Sequence, residues 1–376
     1  MDKVCGRYGS DGNIGVRSRF LHDCRMNWNE NGKTIHIRPR VVPGNLSVNP
    51  PITDHFGRTF NYLRLAVNEN CNLRCIYCMP EEGIDFRDQH QLLSTSEIFQ
   101  LIKITSRMGV SKIRFTGGEP LLRDDLLKLI RFANETESVD SIHLTTNGLL
   151  LRKYVESLKG AGLSGINISL DTLNPEKFKT ITRRDGLNLV LDGLEKAIQS
   201  GISSIKVNVV AMRDFNDDEI LDFAELTKEN DITVRFIELM PFDAHQIWKT
   251  GKFYRAEQIV SDLKAQIEGL NPVDGSSTEH HVFRIDRYKG KVAVIPAYSR
   301  SLCGECNRIR ITADGKLLNC LYSQKETNIR DAIRNGKSYR EIQGMIRHAM
   351  YEKFQDGWEA QNHGKTKRES MTQIGG

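Results

Sequence analysis

No apolar run in this 376-residue chain comes near the ~20 residues that a membrane-crossing helix needs, so no membrane role is expected. Excess charge is scarce too. The formal net charge is +5, and eight Lys/Arg against four Asp/Glu in the first fifty residues account for +4 of it. The rest of the chain, near +1, lacks the basic body of a nucleic-acid-binding protein, although a local basic pocket for an anion is compatible with it. Eight cysteines are too sparse for a secreted disulfide scaffold, and no signal peptide is expected ahead of them. Six of the eight form two tight groups, while Cys5 and Cys24 are scattered. Clustered thiols in a reducing compartment point to metal.

The composition, 39% hydrophobic and 27% charged, suits one large α/β domain with a smaller one appended. Residues 1–53, rich in Gly, Asn, Arg and Pro, read as an irregular extension with no role to assign. They lack the amphipathic, Ser-rich helix of a transit peptide, so a cytoplasmic location is expected, with the mitochondrial matrix as the alternative for a eukaryotic source. A strand-then-helix rhythm follows, with candidate strands at 62–67, 111–116, 141–146, 165–170, 204–210 and 232–238. Ser94 with Glu97 forms a capping-box signature, and NDDEILDFAELTKEN has the acidic first turn of a helix. Six βα units predict a parallel sheet, and six rather than eight favour a partial (β/α)6 TIM-like barrel over 54–270. Short strands (HVFRID, KVAVIP, RIRIT, KLLNC) and two helices then predict a small α+β region over 271–376.

CNLRCIYC places Cys71, Cys75 and Cys78 in a C-x3-C-x2-C spacing at the end of the first strand, where β/α folds put chemistry. A structural zinc site needs four ligands, whereas a four-iron cluster on three cysteines keeps one iron open to a small molecule. A zinc knuckle completed by a distant His or Cys is the alternative. Cys303, Cys306 and Cys320 form a second triad; zinc with His280, His281 or His363, or one cluster shared between the groups, stays open for it. Arg308 and Arg310, two apart on a predicted strand, share a face beside these thiols and make a fork for phosphate or carboxylate. A merely solvated strand face is the plainer reading.

Alternation puts further polar residues opposite the apolar strand faces: Arg64; Lys112, Arg114 and Thr116; Lys206 and Asn208; and Arg235. Cations on inward faces need partners. Either Glu119, Asp171 and Glu238 neutralise them, or the cavity receives a polyanion such as a triphosphate.

The three-cysteine spacing with an aromatic, Tyr77, before the last Cys, and GGEP at 117–120 after the second strand, resemble the radical S-adenosylmethionine (SAM) enzymes. FGRTFNYLRLAV, KIRFTGGEPLLRDDL, TTNGLLL, INISLDTL, VRFIELMPF, CGECNRIRITADG and the final IGG together resemble one family over residues 54–376: the GTP 3′,8-cyclases of molybdenum cofactor biosynthesis. The resemblance implies a lyase with two [4Fe–4S] clusters, one on each cysteine triad, and SAM on the first. It implies SAM contacts from Tyr77, Gly118, Ser169 and Met240. GTP contacts would come from Arg64, Arg114, Thr145, Lys206, Arg308 and Arg310, with Lys112 and Arg235 as further candidates. Arg64, Arg308, Arg310, Gly375 and Gly376 would act in catalysis, the Gly-Gly tail reaching the active site; a frayed end is the commoner meaning of such a tail. The product would be (8S)-3′,8-cyclo-7,8-dihydroguanosine 5′-triphosphate, passed to cyclic pyranopterin monophosphate synthase. An external electron donor and a monomer or homodimer are implied as well. NENC before the first triad, the extension and a short C-terminal stretch depart from the pattern. A peptide maturase and a zinc-stabilised nucleotide-binding module are the competing readings. The first is disfavoured by having only three C-terminal cysteines and by the basic strand faces.

Overall fold

The computed structural model describes residues 50–240, 252–275, 281–299, 302–363, 368 and 370–375. The expected extension, with Cys5 and Cys24, lies outside the described residues except for 50–53, where Ile52 is wholly buried.

Six strands run parallel in chain order: β1 (Tyr62–Ala66), β2 (Lys112–Thr116), β3 (Ser141–Thr146), β4 (Gly165–Ser169), β5 (Ser204–Ala211) and β6 (Thr233–Glu238). The helices between them are α1 (Thr95–Ser106), α2 (Leu126–Asn134), α3 (Leu151–Gly160), α4 (Pro175–Thr182), α5 (Leu187–Ser200) and α6 (Ile220–Glu225), with α7 (Ala256–Gln266) after β6. Alternation sets the faces. In β5 Ile205, Val207, Val209 and Ala211 are buried in the core under the helices, while Lys206 and Asn208 turn to the other side. The capping box forms as expected: Ser94 Oγ accepts from Glu97 N at 3.3 Å, and Glu97 Oε2 accepts from Ser94 N at 2.7 Å. The acidic stretch behaves differently. Asp217–Glu219 is a 3-10 turn and α6 is short, because the Glu219 carboxylate is drawn to Thr172 and Leu173, 2.6 Å from each.

The later strands are β7 (Leu270–Val273), β8 (His281–Ile285), β9 (Lys291–Ile295), β10 (Arg308–Ile311), β11 (Lys316–Leu318) and β12 (Glu326–Asn328). They flank the six-stranded array rather than forming a separate sheet. β9 adds in parallel to β6, and β10 adds in parallel to β1. β8 and β7 continue antiparallel beyond β9, as do β11 and β12 beyond β10, giving one twelve-stranded sheet. The chain from β9 to β10 thus passes from one edge of the parallel array to the other, carrying Cys303 and Cys306 across the open side. Tyr322 Oη donates to Ala297 O at 3.1 Å, holding the two sides together. Helices α8 (Ile329–Arg334), α9 (Tyr339–Tyr351) and α10 (Gly357–Asn362) follow.

Candidate active site

The first triad is seated by backbone pairing with the GGEP loop. Gly118 N donates to Asn68 O (3.1 Å) and Glu119 N to Asn70 O (2.7 Å), which fixes the segment leading into Cys71. A Cβ on Gly118 would lie 2.2 Å from Asn70 O and 2.4 Å from Glu69 O, so the backbones approach this closely only because the residue is glycine. The Glu119 carboxylate is buried; it accepts from Thr146 Oγ1 (2.8 Å), Asn147 N (2.7 Å) and Leu121 N (3.0 Å). Burial raises its pKa to about 7 despite these donors. Asn147 Nδ2 in turn donates to Asn72 Oδ1 at 2.7 Å.

A cavity of about 210 Å³ opens here, lined by Cys71, Cys75 and Cys78 together with Tyr77, Gly118, Ser169 and Met240. All four residues expected around SAM therefore meet the first triad, and Thr145 joins them. The Tyr77 hydroxyl donates to Asp171 Oδ2 at 2.7 Å. Burial pushes the Cys71 thiol up, Cys75 well up and Cys78 to about 12, with neighbouring thiols adding to the rise at Cys75 and Cys78. Such a set ionises together only against a strongly cationic partner, which is the chemistry of a metal cluster site. Among the described residues no three His, Cys, Asp or Glu side chains form a group that could hold a single metal ion.

The second triad lines a cavity of about 100 Å³ with Arg308, Arg310 and Lys353. Met240 borders both cavities. Burial acts to raise the Cys306 pKa, but the cations of Lys353, Arg308 and Arg310 outweigh it and bring it down to about 6. Arg58 fixes the loop: Nη1 donates to Cys303 O and Gln355 O (both 2.8 Å), Nη2 to Phe354 O (2.6 Å), and Nε pairs with Asp54 (2.6 Å). His363 stacks on Phe354 with ring centroids 4.6 Å apart, and His281 lies on β8; neither lines this cavity. His280 lies outside the described residues.

Strand register joins the two halves. Arg310, Arg64 and Arg114 are consecutive partners across β10, β1 and β2, and Arg308, Tyr62 and Lys112 form the adjacent row. Arg114 Nη1 donates to Thr145 Oγ1 at 3.4 Å, linking the row to the first cavity. Arg114 Nε, Arg308 Nε and Arg310 Nη1 are buried without a hydrogen-bond partner among the described residues. Burial, with Arg64 and Arg308 alongside, lowers the Arg310 pKa to about 9, and burial lowers that of Arg64 to about 10. The carboxylates considered as neutralisers are engaged by other donors. Asp171 accepts from Tyr77 and from Val210 N (2.8 Å), and Glu238 from Ala256 N (2.8 Å) and Ser299 N (2.7 Å). Lys206 and Arg235 stand lower on β5 and β6 than the cavity lining; Arg235 Nε donates to Asn208 Oδ1 at 2.9 Å.

The C-terminal tail also arrives here. Ser370 Oγ donates to Cys78 O at 2.8 Å, and Met371 and Thr372 line the first cavity. Gly375 has φ +84°, and a Cβ there would lie 2.8 Å from Ala66 Cβ, so its place above the ends of β1 and β2 requires glycine. Gly376 lies outside the described residues. Arg58, Tyr62 and Lys353 carried no functional signal in the sequence. Asn147 carried a signal in TTNG, whereas an arginine clamped onto distant carbonyls, as Arg58 is, has no local signature.

Residues 65–227 match the radical SAM superfamily and residues 232–358 match the Molybdenum Cofactor Synthesis C family. The chain is 44% identical to GTP 3′,8-cyclase of Chlorobaculum tepidum over 86% of this chain and 97% of that protein. It is 41% identical to GTP 3′,8-cyclase of Syntrophomonas wolfei, over 86% of this chain and 99% of the relative. With molybdenum cofactor biosynthesis protein 1 of Homo sapiens the identity is 44% over 78% of this chain, which spans 46% of that longer protein. Among solved structures, Streptococcus suis SuiB bound to precursor peptide SuiA superposes with a TM-score of 0.52 at 16% identity, covering 82% of this chain and 68% of that one. SuiB bound to S-adenosylmethionine gives a TM-score of 0.51 at 14% identity over 77% and 71% of the two chains. These structures share the fold.

Proposed function

The chain belongs to the GTP 3′,8-cyclase family of radical SAM enzymes, and from that premise we propose that it cyclises GTP to (8S)-3′,8-cyclo-7,8-dihydroguanosine 5′-triphosphate, the first step of molybdenum cofactor biosynthesis. The observation that carries this reading is the cationic row Arg310–Arg64–Arg114 aligned by strand register, with Arg310 lining the cavity of the second triad and Arg114 bonded to Thr145 of the first.

Cys71, Cys75 and Cys78 would hold a [4Fe–4S] cluster, which with SAM would supply the radical chemistry that removes a hydrogen atom from substrate. Gly118 lets its loop pack against the backbone of Glu69 and Asn70, and Tyr77, held by Asp171, fixes that wall of the cavity along with Ser169 and Met240. Cys303, Cys306 and Cys320, which line the second cavity, would hold a second [4Fe–4S] cluster that would offer its open iron to the substrate. Arg64, Arg114, Arg308 and Arg310 present guanidinium forks to the triphosphate oxygens, assisted by Thr145, Lys206, Lys112 and Arg235. With the triphosphate so held, the ribose faces the first cavity, where hydrogen abstraction from C3′ is followed by attack on guanine C8. Met371 and Thr372 line the cavity, and Gly375, close to Ala66 and Thr116, would lead the Gly-Gly end toward the substrate. The final reduction draws on an external electron donor. The product passes to cyclic pyranopterin monophosphate synthase, and the enzyme works in the cytoplasm as a monomer or homodimer.

Anaerobic incubation of the reconstituted protein with reductant, SAM and GTP tests this. GTP should disappear as 5′-deoxyadenosine accumulates; deoxyadenosine formed while GTP survives unchanged would overturn the substrate assignment.

A further inference from the structure

The tail that covers the first cavity is held from outside it. Arg368 is the one charged side chain among the described residues 368 and 370–375, and its side chain is only 5% exposed. It donates Nη1 and Nη2 to the two oxygens of Asp314 (3.0 and 3.3 Å) and Nε to Glu326 (2.7 Å). Asp314 sits on the turn between β10 and β11, and Glu326 opens β12. On its other side Asp314 faces Arg87 Nε at 3.9 Å, and Arg87 pairs with Glu69, ahead of Cys71. Charges therefore alternate from Glu326 through Arg368, Asp314 and Arg87 to Glu69, tying the tail to the strand that bears Arg308 and Arg310 and to the loop that bears the first triad. Ordering residues 370–375 costs conformational entropy at each one, offset within the segment by burial of Ile374 and by the bond from Ser370 Oγ to Cys78 O. A bidentate fork shared between two carboxylates supplies a directional anchor.

We propose that Arg368 is a positioning residue: its pairing with Asp314 and Glu326 seats residues 370–375 at the mouth of the first cavity, and the tail acts in the reaction only while that pairing holds. The substitution Arg368→Gln in the full chain tests it, alone and combined with removal of Gly375 and Gly376. Carboxypeptidase should release C-terminal residues at least about tenfold faster from R368Q than from the unaltered protein. In the reconstituted enzyme, GTP turnover should fall about tenfold or more, while iron content and GTP-independent 5′-deoxyadenosine formation stay at the parent level. In the chain already lacking the two glycines, R368Q should cause no further loss of turnover. Equal digestion rates, or losses that multiply in the combined variant, would overturn the proposal. Glu326→Gln leaves the Asp314 fork intact. It should speed digestion by a smaller factor, and it carries the test if R368Q does not fold; digestion no faster than the parent would count against the latch. The kinetic arm rests on reading this cavity as the site of GTP conversion and the digestion arm does not, so the two failures are told apart.

Discussion

Adding a single methyl group at Gly118 tests how the first cavity is built. The new Cβ would lie 2.2 Å from Asn70 O and 2.4 Å from Glu69 O, where a carbon and a carbonyl oxygen rest no closer than about 3.3 Å. Both oxygens belong to backbone, so no side chain can swing aside. The 69–70 segment has to retreat by about 1 Å, stretching the bonds from Gly118 N to Asn68 O (3.1 Å) and from Glu119 N to Asn70 O (2.7 Å). Two weakened hydrogen bonds at about 0.5–1.5 kcal/mol each, plus about 1–3 kcal/mol of overpacking, put the cost at roughly 2–5 kcal/mol. Calorimetry of Gly118→Ala should show a melting point lower by at least about 4 °C. The same retreat moves Cys71, and a displacement of about 1 Å at a reacting site costs on the order of a hundredfold. Equilibrium binding of SAM to the reconstituted variant should weaken by at least about tenfold. Unchanged melting together with unchanged SAM binding would refute the close-approach argument.

Other outcomes follow from the same geometry. Glu119 has a folded pKa raised to about 7 by burial, against about 4.5 when unfolded, so its carboxyl favours the folded state least when ionised. As pH rises from about 4.5 to about 7, the metal-free protein should lose up to about 3 kcal/mol that E119Q does not lose, and parallel urea-melt profiles would contradict this. Arg58→Ala strands the buried Asp54 and frees the carbonyls of Cys303, Phe354 and Gln355, so it should cost about 3–5 kcal/mol and reduce iron retention at the second triad. A melting point and iron content equal to the parent would refute the clamp. Cys320→Ser should lower iron from about eight to about four per chain, keep the first cluster's spectroscopic signal and abolish cyclisation; retained turnover would refute the second-cluster role.

The strands were legible because their chemistry alternates. Ile113 and Phe115 are buried while Lys112 and Arg114 lie on the other face, and the six expected strands form within a residue or so of their expected ends. Neighbour choice was not legible. RIRI and KVAVI each read as a short strand, but nothing local says that one extends β1 and the other β6, because that pairing depends on partners far away in the chain. The row Arg310–Arg64–Arg114 follows from that pairing, so it could be anticipated as a set of residues but not as a line. The tail was ambiguous for another reason: a terminal Gly-Gly usually frays, and what seats this one is Arg368, whose carboxylate partners come from separate parts of the chain.

The most direct measurement uses GTP deuterated at ribose C3′. Anchoring the triphosphate on the arginine row would bring C3′ within reach of the first cavity, so the deuterium should appear in 5′-deoxyadenosine as GTP is consumed. Deoxyadenosine that forms at the same rate without label would contradict it.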